Sequence, residues 1–194
     1  MGALSHSSST ADPREFIYRV DAQNRLTDAN AAWYDFAREN GSHALDSGSV
    51  IGCSLWDFIS DPETRHLFEI VLTKVRRTGK PVTLSYRCDA PDLRRFMELE
   101  IRPGAEAAVE FCSRIVRQET RPHVSLLDDT AARADTFLAM CAWCKKVALP
   151  DDSWVEVEQA VEHLKLFEGP VLPQISHSIC PPCKSEIDRS LDRL

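Results

Sequence analysis

Two Cys-x-x-Cys pairs constrain this chain more than any other feature. They are Cys141-Ala142-Trp143-Cys144 and Cys180-Pro181-Pro182-Cys183, and the 35 residues between them contain no further cysteine. Two cysteines so spaced can turn back on one metal ion. Two such pairs supply the four soft ligands of a tetrahedral structural zinc site, with Zn–S bonds of about 2.3 Å. Whatever the C-terminal third folds into must bring residues 141 and 180 to the same point. The gap exceeds the ~15–20 residues of compact zinc ribbons, which leaves room for a helix between the knuckles. Structural zinc held by Cys141, Cys144, Cys180 and Cys183 is the leading expectation. The alternative is redox chemistry, because Cys-Pro-Pro-Cys opening a helix is a setting that lowers a thiol pKa. Thioredoxin-like proteins, however, carry one such motif in a βαβ setting, and here there are two without it. Haem attachment needs a His after the pair, and Lys145 and Lys184 stand there.

Composition narrows the surroundings. No run approaches the ~18 apolar residues of a membrane span, and Met1 to Thr10 lacks the basic and apolar regions of a secretory signal. A cytoplasmic setting is therefore expected, in which seven cysteines read as reduced thiols or metal ligands more readily than as disulfides. Net charge is −7, and the residues after Glu119 hold 12 acidic against 8 basic side chains. A nucleic-acid footprint needs the opposite balance. A DNA-binding regulator is thus only a third reading, and the charge balance argues against nucleic acid as a partner.

Along the chain, residues 1–13 are expected to be disordered. Phe16–Val20, a turn at Asp21-Ala22-Gln23-Asn24 and Arg25–Ala29 read as a hairpin. Asn30 caps a helix through Trp33 and Phe36. Asp61-Pro62-Glu63 starts a longer helix that Gly79 ends. Three alternating runs follow: Val82–Arg87, Arg95–Arg102 and Ala107–Val116. The expected fold class is α+β, a five-stranded antiparallel sheet with helices on one face, followed by a small helical zinc-binding module. Residues 120–140 are read as a linker helix, because Leu127, Ala131, Ala134, Leu138 and Cys141 recur at steps of four and three. That seam suggests a weak homodimer. Within residues 141–194, Trp154, Val157, Val161 and Leu164 mark an amphipathic helix over Ser153–Phe167, and Pro181–Leu194 a last one.

Residues 14–119 resemble a PAS domain. The resemblance rests on the hairpin through Arg25-Leu26-Thr27-Asp28-Ala29-Asn30-Ala31-Ala32-Trp33, on Val50-Ile51-Gly52-Cys53-Ser54-Leu55-Trp56-Asp57-Phe58-Ile59, and on the long helix with three strands after it. The tail, through Cys141-Ala142-Trp143-Cys144-Lys145, Trp154 and Ser176-His177-Ser178-Ile179-Cys180-Pro181-Pro182-Cys183, resembles a Cys-rich extension of some bacterial sensor and response-regulator proteins. The resemblance implies a sensing or docking domain that dimerises through flanking helices.

The remaining candidates are weaker. Trp33, Trp56 and Phe58 can line a ligand pocket or fill the core. Cys53, Cys88 and Cys112 read as small core residues, since Gly52-Cys53-Ser54-Leu55 does not match the Asn-Cys-Arg setting of flavin photoreceptors. His66 is the one residue suitably placed for an axial haem ligand, but between charged neighbours it reads as exposed. His177 reads as a neighbour of the thiolates, and Lys145, Lys146 and Lys184 as charges offsetting them. Arg76-Arg77 and Arg94-Arg95 read as solvated. No catalytic triad, carboxylate pair or phosphate loop stands out. The sequence points to a non-enzymatic, bacterial-type signalling protein whose zinc module binds a partner signalling protein. A thiol-based switch that releases zinc on oxidation is the alternative.

Overall fold

The alternating runs do build a sheet, and its two faces carry opposite chemistry. The computed structural model describes residues 8–9, 14–42, 45, 47–59, 61–166 and 171–194. In chain order, β1 (Ser8–Ser9), β2 (Glu15–Val20) and β3 (Leu26–Ala29) precede α1 (Ala31–Glu39) and the short α2 (Ser47–Val50). Then α3 (Pro62–Thr78) leads into β4 (Val82–Arg87), β5 (Leu93–Pro103) and β6 (Val109–Thr120). Five strands form an antiparallel sheet in the order β3-β2-β6-β5-β4, and β1 adds two residues beside the end of β6. Apart from Ser8–Ser9, the N-terminal stretch expected to be disordered lies outside the described residues.

Local chemistry sets the boundaries of these elements. In the β2–β3 turn Asp21 Oδ1 accepts the N–H groups of Gln23 and Arg25, and Asn24 takes φ +60°, a conformation Asn tolerates. Asn30 Oδ1 accepts the Trp33 N–H at 2.8 Å and starts α1. Asp61 caps α3 ahead of Pro62, and Gly79 ends it at φ +66°. One sheet face carries Leu84, Leu99, Ile101 and Phe111, all buried, against Leu67, Val71, Leu72 and Val75 of α3, and Met97 on the same face packs with Phe16 and Ile115 near α1. The other face is a ladder of ion pairs. Arg102 bridges Glu100 and Glu110 at 2.7 and 3.3 Å, and Arg19 bridges Glu110 and Asp28 at 2.7 and 2.6 Å. This charged face is largely in water, so most of the apolar packing falls on the helix side.

The tail is not helical throughout. It contains β7 (Arg133–Cys141), β8 (Val147–Ala148), β9 (Trp154–Val155), α4 (Val157–His163), β10 (Leu172–Ser178) and α5 (Pro181–Asp192). The strands form a second sheet in the order β10-β7-β8-β9, with β10 parallel to β7. This corrects the reading of residues 120–140 as a helix. Only Ser125–Leu127 makes a single 3-10 turn, and Arg133–Cys141 is extended. The heptad-like steps mislead because Ala134, Leu138 and Met140 satisfy a period of two as well. The strand's partner lies about forty residues downstream, where no local period reports it. Leu127 and Leu138 pack onto a small intramolecular core with Leu126, Met140, Val147, Val157 and Val161, so the helical dimer seam does not form. The amphipathic helix of Ser153–Phe167 is shorter than expected, because Trp154–Val155 pairs with β8.

The knuckles and α5 join the core of the larger sheet, the second sheet keeps a small core of its own, and a polar seam links the two. Cys183, Ile187 and Leu191, four residues apart on α5, are buried in the same apolar cluster as Leu84, Ile101 and Phe111. At the seam Asp89, whose side chain is 1% exposed, accepts from Arg87 and from Arg121 at 3.2 Å. Arg87 reaches Glu156 at 2.7 Å and Arg94 reaches Glu158 at 2.8 Å, both at the start of α4. Buried ion pairs contribute little net stability, yet removing one partner leaves charge unpaired and costs about 3–5 kcal/mol. Asp89→Ala should therefore lower unfolding stability by that order. Ile187→Ala should cost about 2–5 kcal/mol, and urea unfolding of either variant should remain one transition. A separate early transition confined to the tail would contradict a shared core.

Candidate metal centre

Parallel pairing explains how distant cysteines meet. Parallel strands run in step, so the segments that follow β7 and β10 leave the sheet at the same end. Cys141 lies opposite Ser178, and Ala142 N–H donates to the Ser178 carbonyl at 2.8 Å. The first knuckle then closes on itself. Cys141 N–H donates to Lys146 O at 2.7 Å and Lys145 N–H to Cys141 O at 3.0 Å, with Lys145 in the left-handed region at φ +61°. The second knuckle opens α5, with Cys180 as its cap residue and Pro181 and Pro182 in its first turn. Proline fits there because those N–H groups have no helical partner. That first turn brings Cys180 and Cys183 to the sulfurs of the first knuckle.

The four Sγ atoms lie within 4.8 Å of one another, and Cys144 and Cys180 are 3.7 Å apart. A tetrahedron with bonds of about 2.3 Å has edges of about 3.8 Å, so the cluster has the size to hold one metal ion. Cys141 and Cys180 are 0% and 1% exposed, Cys183 is 8% exposed, and Cys144 is half-buried. Cys141 Sγ accepts the Cys144 and Cys180 N–H groups at 3.5 and 3.4 Å. Without a cation, hydrogen bonds from the Cys144 and Cys183 thiols and then from these amides push the Cys141 thiol far down. The same sharing pushes Cys144 up to about 12 and Cys183 higher still. Cys141, Cys144 and Cys183 therefore share their protons as one coupled group, and a bound divalent cation would draw protons off the site. Glu63 Oε2, in the first turn of α3, accepts the Ser178 hydroxyl at 2.8 Å and the Ile179 N–H at 3.1 Å. That brace was not legible in the sequence, where Glu63 reads only as a helix-start charge. His177 sits on β10 opposite Met140, outside the four-thiol cluster.

Trp143 carries the knuckle onto the larger sheet. It is 7% exposed, with ring centroids 5.8 Å from Phe68 and 6.2 Å from Tyr86, and its carbonyl accepts the Arg87 N–H at 2.8 Å. Beneath it lies a cavity of about 300 Å³ whose walls include Tyr18, Trp33, Phe36, Tyr86, Met97 and Trp143. Of the three aromatic residues that the sequence proposes for a pocket, Trp33 lines this cavity. Trp56 instead lies under the Arg65 guanidinium, 5.2 Å from its ring centre, and Phe58 is 42% exposed. The inward positions of β4 and β5 were the missed signal, because Tyr86, Met97 and Leu99 share the face that α3 and the knuckle cover.

The other candidates fall elsewhere. Cys112 is buried, Cys53 donates to Ser49 O, and Cys88 borders the cavity, where burial pushes its thiol up. The His66 side chain is 74% exposed on α3. Three arginines read as solvated are instead structural. Arg76 donates to Asp21 O, Asn24 Oδ1 and Ala107 O, clamping two turns. Arg95 is 8% exposed and donates to Asn40 Oδ1, and Arg94 joins the seam network. Each is held by acceptors distant in sequence.

No protein-family model matches the chain, and no curated protein matches it. The site must be read from its own geometry. Freshly purified protein under reducing conditions should carry one divalent ion per chain. Cys180→Ser should remove most of it, as measured by metal analysis on native mass spectra. Full retention of the ion in that variant would exclude the four-cysteine site.

Proposed function

We propose that this chain is a non-enzymatic, bacterial-type signalling protein, in which a PAS-type sensing or docking domain is joined to a structural zinc module that engages a partner protein. The observation that carries the proposal is the position of Trp143. It lies between two candidate metal ligands in sequence and is buried against the apolar face of the larger sheet. Whatever fixes the knuckle therefore also fixes one wall of the sheet's cavity, which is how a sensing domain and an output surface can be coupled.

Zinc is the metal this donor set favours, since four thiolates at tetrahedral spacing suit a soft, redox-inert ion. Four protein ligands fill its coordination sphere and leave no position for substrate or water, which supports a structural role. Keeping such thiols reduced suits a cytoplasmic setting. Among the described residues no helix is long and apolar enough to cross a membrane. The acidic balance of the tail supports a protein partner over nucleic acid. On β7, Phe137 is 68% exposed and Val171 beside β10 is 42% exposed, which gives the second sheet an apolar contact for that partner.

Cobalt substitution separates a structural site from a catalytic one. The cobalt protein should show the strong visible bands of a tetrahedral tetrathiolate and should not respond to added imidazole or cyanide. A spectral response would reveal an open position and overturn the structural reading. A Phe137→Ser variant should keep its metal yet lose partner capture from the source cells. A thiol-based switch is the second reading, favoured by the half-buried Cys144 at 3.7 Å from Cys180. Under that reading, peroxide at one equivalent per thiol should expel zinc; a structural site should retain it.

A further inference from the structure

We infer that the cavity between the larger sheet and the first knuckle binds a small planar molecule bearing a negative charge, of the aromatic carboxylate class, and that this ligand and the metal reinforce each other's binding. The inference deepens the function proposed above and rests on it, because it names what the sensing domain senses.

The shape is set by rings. Trp33 comes from α1, Phe68 from α3, Tyr86 from β4 and Trp143 from the knuckle, so flat surfaces approach from four different elements. The pocket of about 300 Å³ is partly open at the surface, so a small molecule can enter between its aromatic walls. It lies at the small end of the ~300–1,000 Å³ range of ligand pockets, which limits the occupant to one or two fused rings with a short substituent.

The polar groups specify the substituent. Tyr18 lines the cavity, and its hydroxyl has no hydrogen-bond partner among the described residues. Burial pushes its phenol up, so it remains a proton donor at neutral pH. The neighbouring Tyr86 hydroxyl is already paired with Ser113 Oγ at 3.1 Å. Cationic charge comes from Lys145. Its Nζ donates to the Ala142 carbonyl at 2.9 Å and faces no carboxylate within 4.0 Å among the described residues, leaving two of its three donors for a ligand. Arg87, the other cation on the wall, is committed to Asp89 and Glu156. A hydroxyl without a protein partner and an ammonium with donors to spare, both on the cavity wall, together favour an anion that accepts hydrogen bonds, and a carboxylate on an aromatic ring supplies both features.

The coupling follows from connectivity. Ala142 and Trp143 lie on the loop that Cys141 and Cys144 close, and Lys145 follows it in the same hydrogen-bonded turn. A metal ion on those thiolates holds three wall residues in place, and a ligand against them favours the closed loop. The two affinities must then change by the same factor.

Calorimetric titration of the full zinc-loaded chain with 2-naphthoate tests this, with neutral 2-naphthamide as the control. One molecule of 2-naphthoate should bind per chain, and affinity should fall about tenfold or more in Tyr18→Phe and in Lys145→Gln, the size of one lost charge-assisted hydrogen bond. The Lys145→Gln loss should be specific to the carboxylate and absent for the amide. Met97→Trp, which fills the void, should abolish binding with zinc content unchanged. Zinc-depleted protein should bind the probe at least ~5-fold more weakly. Absence of 2-naphthoate binding to zinc-loaded protein overturns the inference, as does equal affinity in Lys145→Gln or binding that survives Met97→Trp. An intact tetrathiolate cobalt spectrum in protein that binds no probe would defeat this inference alone. A cobalt site that opens to added ligands would defeat the functional reading beneath it.

Discussion

The parallel pairing of β7 with β10 is the constraint on which the rest depends. Antiparallel pairing would send the two strand ends in opposite directions and separate the knuckles by the strand length. Parallel pairing needs a crossover connection, and β8, β9 and α4 make it. The long gap between the cysteine pairs is therefore the length of a crossover, not slack in a zinc ribbon. With Cys141 opposite Ser178, both chains exit at one corner, and the four sulfurs meet there without adjustment of the loops.

That corner is also where the two sheets touch. The second knuckle is braced by Glu63 from α3, and the first lays Trp143 across the inward side chains of β4 and β5. Farther along, Arg87 and Arg94 of the larger sheet and Arg121 just after it reach Glu156 and Glu158 at the start of α4. Ion pairs of this kind hold orientation more than they stabilise. The orientation matters because it sets the depth to which Trp143 enters the cavity mouth. Cysteine cluster, ring and cavity form one mechanical unit, and α5 packs into the same core through Ile187 and Leu191.

What the sequence disclosed follows from range. The β2–β3 turn at Asp21–Asn24, the Asn30 and Asp61 caps and the Gly79 stop depend on contacts within a few residues, and each is visible as a residue type at a position. The alternation of Met97, Leu99 and Ile101 is equally local, and it delivered the antiparallel sheet. The cysteine cluster was legible although nonlocal, because metal chemistry demands convergence whatever the chain does between. By contrast, residues 133–141 carry a pattern compatible with either period, and only β10 decides between them. Trp56 and Phe58 look like pocket residues by type, yet Trp33 faces the cavity because Asn30 fixes the start of its helix. Arg76, Arg94 and Arg95 misled for the same reason, since their acceptors lie far along the chain.

The central claim is that the metal holds the knuckle against the larger sheet. Amide hydrogen exchange, read residue by residue in the zinc-loaded and chelator-stripped protein, tests it directly. The decisive amide is Arg87 N–H, which donates to the Trp143 carbonyl and not to the sheet ladder. If the metal fixes that contact, stripping zinc should deprotect Arg87 together with Ala142 and Cys144, while the Leu99 and Phe111 amides in the sheet centre keep their protection. An Arg87 amide that stays protected while the knuckle amides exchange freely would show that the two modules are joined without the metal, and would contradict the coupling.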